Sequence, residues 1–135
     1  MPLNANQAQK HIIETYSKAW AEYQEVFNCG SLPTLSIISS KSGRAGTAYY
    51  FSHKVEININ YAMIDPQAII QTIYHELAHI IQFRLFPNAK QAHGREFRMI
   101  LGMMRESTAT YHRMDVVAAK KQKVLLIDLI SIEDL

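Results

Sequence analysis

The stretch "TIYHELAHIIQFRL", residues 72–85, decides how this chain is read. It places His75 and His79 four residues apart, with Glu76 beside the first, inside an otherwise apolar run. On an α-helix, positions i and i+4 lie one above the other, so both imidazoles can reach a single metal ion. Glu76 is one residue on, about 100° around the helix axis, and can reach a water on that metal without being a ligand. Zinc takes neutral imidazole readily, and a catalytic site needs three protein ligands plus an open position for water. Zinc brings the water's pKa towards neutrality, and a carboxylate then takes its proton as it attacks a carbonyl.

The pattern is H-E-x-x-H. A shuffled chain of this composition would contain it in about 1–2 % of cases, so coincidence is a poor explanation. Ile73, Leu77, Ile80, Ile81 and Leu85 imply partial burial of Glu76 and both histidines. A charged glutamate is rarely sunk in such a helix without a partner. Two satisfied core histidines are the competing reading.

The third ligand has to be sought downstream. Six residues after His79 stands Leu85, with no glycine between, so the metzincin spacing fails. The candidates are His93, Glu96, Glu106, His112 and Asp115. His93 sits in a short loop just before the next helix, from which it can swing back over the metal, and it leads on spacing. Glu96 and Glu106 fall on a helix that also carries exposed bases, where a solvated carboxylate is the default. His112 suits a surface position better, and Asp115 could orient a zinc histidine from behind.

The surrounding elements follow from periodicity and caps. Ile12, Ile13, Tyr16, Trp20, Tyr23 and Phe27 recur at helical spacing over residues 6–27, predicting an amphipathic helix that ends at 28–31 around Gly30. "LSIIS" (35–39), "TAYYFS" (47–52) and "VEININ" (55–60) read as strands, the last two joined by a turn at His53 and Lys54. Val55, Ile57 and Ile59 alternate with polar residues, the period of a half-buried strand. Asp65-Pro66 is a good helix start and Pro87 a stop, which brackets the H-E-x-x-H helix. A further helix over 95–106 has Phe97, Ile100, Leu101 and Met104 on one side, with Met103 and Met104 as core filling and Trp20 as core. The apolar tail "VLLIDLISIEDL" has no assigned element.

At 135 residues, with 48% hydrophobic and 19% charged residues, the chain is expected to be one globular domain with a real core. No apolar run reaches the roughly 18–20 residues that cross a bilayer, so no membrane partner is expected. The N-terminal residues lack a signal-peptide layout. Cys29 alone excludes an intramolecular disulfide and a four-cysteine zinc knuckle. A cytoplasmic setting is the expectation. Net charge is +2, but Arg84 to Lys123 carries nine bases against three acids, +6, leaving −4 elsewhere. That asymmetry suits a polyanion partner, although solvated helix faces would look the same.

"YHELAHIIQFRL" followed by "AHGREFRMIL" resembles the SprT-like metalloprotease domain, the family that includes Spartan. Its pattern is H-E-x-x-H, a short insertion, then H-G-x-x-F opening the next helix, and His93-Gly94-Arg95-Glu96-Phe97 matches the second element. "GRAGTAYYFSHKVEININ" is also similar to the family's strand segment. The likeness covers roughly residues 8–112, leaving 113–135 as an extension of the single domain 1–135. The resemblance implies a minimal zincin-like α+β domain: a small three-stranded sheet packed with an N-terminal helix, the H-E-x-x-H helix and a following helix. It implies one zinc per chain on His75, His79 and His93, Glu76 as general base, and hydrolysis of peptide bonds in protein substrates. In the eukaryotic branch those are proteins crosslinked to DNA. Many relatives carry a C-terminal four-cysteine ribbon that one cysteine cannot supply, so DNA contact would rest on the basic segment Arg84 to Lys123. A different class of function, a DNA- or protein-binding module with a mainly structural zinc, is the alternative, and a zinc hydrolase of non-peptide bonds a third. Tyr49, Tyr50 and Tyr111 are candidate donors to a tetrahedral oxyanion, with packed tyrosines as the plainer reading. The sequence leaves the oligomeric state open.

Overall fold

Asn4 starts the first helix through a reciprocal cap: its Oδ1 accepts from the Gln7 backbone N–H at 2.8 Å, and Gln7 Oε1 accepts from the Asn4 N–H at 3.0 Å. The computed structural model describes residues 2–41 and 43–107. Helix α1 (Ala5–Phe27) ends at Asn28, which takes the left-handed conformation with φ 50°. Its inward stripe is Ala8, Ile12, Tyr16, Ala19, Trp20 and Tyr23, whereas Ile13, expected in that stripe, is exposed. The small alanines let α1 approach its neighbours closely, which a stripe of large residues alone would not.

Strands β1 (Thr34–Ile38), β2 (Gly46–Tyr49) and β3 (Lys54–Asn58) form one sheet in the order β1-β3-β2. β3 is central, parallel to β1 and antiparallel to β2. Val55 and Ile57 point into the core, together with Ala48 and Gly46 of β2, which stand opposite them. Thr47, Tyr49, Lys54 and Glu56 occupy the other face.

The expected third strand over 55–60 is shorter than its alternation suggests. Asn58 ends it, because its side-chain Oδ1 accepts from the Asn60 N–H at 3.1 Å and caps a helix, α2 (Ile59–Ile64). The Asn58 amide also donates to the carbonyls of Ser40 and Arg44, at 2.9 and 3.1 Å. One buried side chain therefore fixes the strand end, the helix start and the loop before β2.

Helix α3 (Pro66–Leu85) begins at Asp65, whose carboxylate accepts from the Ala68 N–H at 3.1 Å, with Pro66 in the first turn. It is buried along most of its length, between α1, β2, α2 and α4 (Arg95–Ser107). Tyr23 of α1 donates to the Tyr74 carbonyl at 2.9 Å, and Tyr74 in turn donates to Glu22. Phe97, Ile100 and Met104 seat α4 on this core, while Met103, expected inside, is exposed. The chain is thus α+β, a three-stranded sheet packed against helices. The extension 113–135 lies outside the described residues.

At the last turn of α3, Arg84 donates from Nη1 to the carbonyls of Cys29 and Ser31, at 2.9 and 2.7 Å, with its guanidinium 5.4 Å from the centre of the Trp20 ring. Arg84 is therefore a clamp between α3 and the end of α1. Replacing it by Met keeps the aliphatic stem but removes both hydrogen bonds, the one to Cys29 part-buried, and a loss of about 1–2 kcal/mol is expected. A urea melt reads it; an unchanged midpoint would mean that the clamp contributes nothing.

Candidate metal centre

His75 and His79 project from one face of α3, one turn apart, and His93 comes from the loop between α3 and α4. Pro87 and the residues after it turn the chain back, and Gln82 Nε2 donates to the Gln91 carbonyl at 3.0 Å, holding that loop against the helix. The three Nε2 atoms form a triangle with sides of 3.0, 3.1 and 3.2 Å. These histidines are positioned to hold one metal ion.

The donor set fits a cation on elementary grounds. Each imidazole nitrogen is either an N–H donor or a lone-pair acceptor, so among three Nε2 atoms at least two are of one kind. Two like atoms at these distances repel unless a shared cation lies between them. Nitrogens on a tetrahedral zinc with bonds of about 2.0–2.1 Å stand roughly 3.3 Å apart, close to the spacing here. Among the described residues the group contains three ligands and no fourth. Of the other downstream candidates, Glu96 is not part of the group, and His112 and Asp115 lie outside the described residues.

Phe97 is the residue whose role the spacing alone did not disclose. Its ring stacks on His79 at 4.3 Å between centroids and meets His75 and His93 edge-on at 4.9 and 5.1 Å. A single buried aromatic thus sets the tilt of all three imidazoles. The signal was its fixed place four residues after His93, which periodicity explained as core alone.

Glu76 is fully buried, 0% exposed, and His79 is 1% exposed, while His75 and His93 are half-buried. The strand β2 runs across α3 at Gly46, where a Cβ would stand 2.8 Å from Thr72 Cγ2 and 3.1 Å from Glu76 Cγ. Only glycine permits this approach. Of the tyrosines, Tyr50 lies beside the centre, its ring 6.2 Å from that of His79. Tyr49 faces away and donates to Glu56 at 3.3 Å. Burial and then the Glu56 carboxylate push its pKa up, so the phenol keeps its proton. Tyr111 lies outside the described residues. Burial likewise pushes the Cys29 thiol up, away from the thiolate that a nucleophile requires.

Fold and site together define a small α+β domain with three histidines positioned to hold a metal ion, two of them on an H-E-x-x-H helix. Residues 13–118 match the SprT-like family, and the chain belongs to that family. It is similar to Protein SprT of Actinobacillus succinogenes, 32% identical over 88 residues that cover 64% of this chain and 51% of that protein. Protein SprT of Pasteurella multocida is 26% identical over 119 residues, covering 87% of this chain and 69% of its own length. Protein SprT of Glaesserella parasuis is 29% identical over 122 residues, covering 87% and 73%. The chain thus spans about half the length of the first relative and about 70% of the other two. No solved structure gives a significant match.

His93→Ala is expected to weaken metal binding as much as His79→Ala does, and by more than the roughly 10–100-fold that loss of an outer partner produces. Competition with a chromophoric chelator measures it, and full affinity in the His93 variant would move the third ligand elsewhere. Gly46→Val is expected to lower stability by about 1–3 kcal/mol through overpacking against Thr72 and Glu76. A denaturation midpoint equal to the parent's would show that β2 can move off α3 freely.

Proposed function

We propose that this chain is a zinc-dependent endopeptidase that hydrolyses peptide bonds of protein substrates, DNA-associated or DNA-crosslinked proteins among them. The observation that carries the reading is the convergence of three imidazole Nε2 atoms within 3.2 Å, with a buried glutamate next to the first of them. Membership in the SprT-like family supports it. The relatives' printed name states no reaction, so the peptidase assignment rests on the donor set and on Glu76. Three imidazoles suit zinc among the late transition metals, and one ion per chain is the stoichiometry of the site. A site with three protein ligands leaves room for a reacting group, whereas a structural zinc is usually closed by a fourth.

In this reading His75, His79 and His93 hold the ion, and Phe97 keeps their rings in place. When bound, zinc would polarise the substrate carbonyl and bring a water's pKa towards neutrality. A carboxylate oxygen of Glu76 takes the proton of the attacking water and delivers it to the leaving amine nitrogen. The close pass of Gly46 over Glu76 Cγ restricts that side chain, which lowers the reorganisation its carboxylate needs.

A polyanion partner is part of the proposal, with one change to the expected surface. Arg84 is committed to the carbonyls of Cys29 and Ser31. The basic segment therefore offers Lys90, Arg95 and Arg98, which are exposed on the loop and on α4. Arg113, Lys120, Lys121 and Lys123 lie outside the described residues. Among the described residues no helix is long and apolar enough to cross a membrane.

A protease assay with and without DNA tests the reading. Glu76→Gln is expected to lower hydrolysis by roughly 10²–10⁴-fold while metal content stays at the parent's level. Undiminished cleavage would remove Glu76 from the mechanism, and stoichiometric zinc without any hydrolysis would favour a binding module with a structural ion. DNA affinity is expected to fall steeply with added salt; salt-insensitive or absent binding would sink the polyanion partner.

A further inference from the structure

Beside His79 the surface falls into a small cavity of about 130 Å³. Tyr50, Phe83 and Phe86 give it an aromatic side, facing polar groups of Gln82, Lys90 and Gln91. Tyr50, just after β2, stacks on Phe83 of α3 with ring planes 8° apart and centroids separated by 5.5 Å. Phe86 and Ala92 line the cavity further, and His79 itself forms part of its wall. Gln82 completes it, and its bond to the Gln91 carbonyl keeps the loop in position as one side of the cavity. At the rim, Phe51 meets Phe83 edge-on at 5.4 Å, yet is 89% exposed.

Core packing accounts for part of this group, since Tyr50 and Phe86 also rest against the core, but it leaves Phe51 exposed. Single exposed apolar side chains need no explanation, but here three aromatic residues, Tyr50, Phe51 and Phe83, adjoin one another and none of them is buried. Stability alone would favour polar residues at the tip of a hairpin turn. The cavity's continuity with a metal-binding histidine gives it a different use. A peptide with its carbonyl at the three histidines must lay the neighbouring residue's side chain over the adjoining surface. On the His79 side, that surface is the aromatic cavity.

We infer that this cavity is the subsite for the side chain next to the scissile bond, and that it selects bulky apolar side chains of leucine to phenylalanine size. The inference rests on the endopeptidase reading above. The aromatic side gains from burying such a side chain, and its ring edges and faces offer edge-to-face contact. Phe83 is the specificity-determining residue, since it contacts both Tyr50 and Phe51 and so anchors the aromatic wall. Lys90 also lines the cavity and is exposed, which makes an acidic side chain the rival occupant.

Binding of simple hydroxamates to the zinc-loaded full chain tests this without relying on turnover. N-acetyl hydroxamates of glycine, leucine, phenylalanine and glutamate share one metal-binding group and differ only in side chain. By calorimetry, the leucine and phenylalanine compounds are expected to bind about tenfold tighter than the glycine compound. Phe83→Ala, which removes a wall, and Ala92→Leu, which fills the cavity, should each abolish that advantage, read as the ratio of leucine to glycine hydroxamate affinity in the same variant. Circular dichroism checks that both variants remain folded, and the two act in opposite ways on the cavity's volume. Equal affinity for all four compounds overturns the subsite, as does a preference that survives both variants. A preference for glutamate that Lys90→Ala removes would make the site a charged one and overturn the apolar assignment. Peptide hydrolysis, measured alongside, separates the two readings. Hydrolysis without side-chain preference sinks the subsite alone, and preference without hydrolysis sinks the endopeptidase reading alone. No hydroxamate binding by the zinc-loaded chain overturns the metal centre beneath both.

Discussion

A carboxylate and an imidazole sealed inside the helix at the centre of the fold set the terms for everything packed around them. Glu76 and His79 are essentially without solvent contact on α3, whose other inward residues are mostly aliphatic. Polar and charged groups in such a place cost several kcal/mol unless their surroundings compensate. A stability-driven core would have used leucine there. Each neighbouring element shows the accommodation: β2 gives up a side chain at Gly46, the α3–α4 loop returns His93, and α4 contributes Phe97. α1 then braces the helix from the far side through Tyr23 and the Tyr74–Glu22 bond.

The parts of the fold that local chemistry governs were legible in the sequence. Asp65-Pro66 and Pro87 bracket α3 because capping and the missing proline N–H act within a turn or two. The approach of His93 to His75 and His79 was legible only in part: a short loop before a helix can return over the helix it left, but spacing left other candidates open. Strand order was not legible, because placing β3 between β1 and β2 depends on partners far apart in the chain. The "VEININ" alternation continued past the real strand end, since Asn58 uses its amide to cap α2 and periodicity does not register caps. Asn58 also shows how a residue on the polar phase of a strand can be buried, once its hydrogen bonds are all made to backbone.

Charge and apolarity counts misled where a residue's use is set by one neighbour. Arg84 heads the basic run yet serves two carbonyls and the face of Trp20. Ile13 and Met103 fit their helical stripes but are exposed, with Ala8 and Ala19 taking inner positions on α1 and Ile100 and Met104 on α4. Phe97 was assigned to the core correctly, and it does face the core, but the ring's other contacts are the three imidazoles. A residue that packs the interior and orients ligands at once is invisible to any pattern that scores burial alone.

The placement of His93 on a loop, fourteen residues after His79, has a consequence for the chain as a polymer. An ion shared by these histidines is a cross-link, tying the start of α4 to the middle of α3 as a covalent bridge would. Such a tie removes the freedom that an open segment of this length would have, a contribution that grows only slowly with the length enclosed. It acts on the loop that the Gln82 amide also holds through the Gln91 carbonyl. Loading of the centre would therefore add to the hold that Phe97, Ile100 and Met104 already give α4, the helix that carries Arg95 and Arg98.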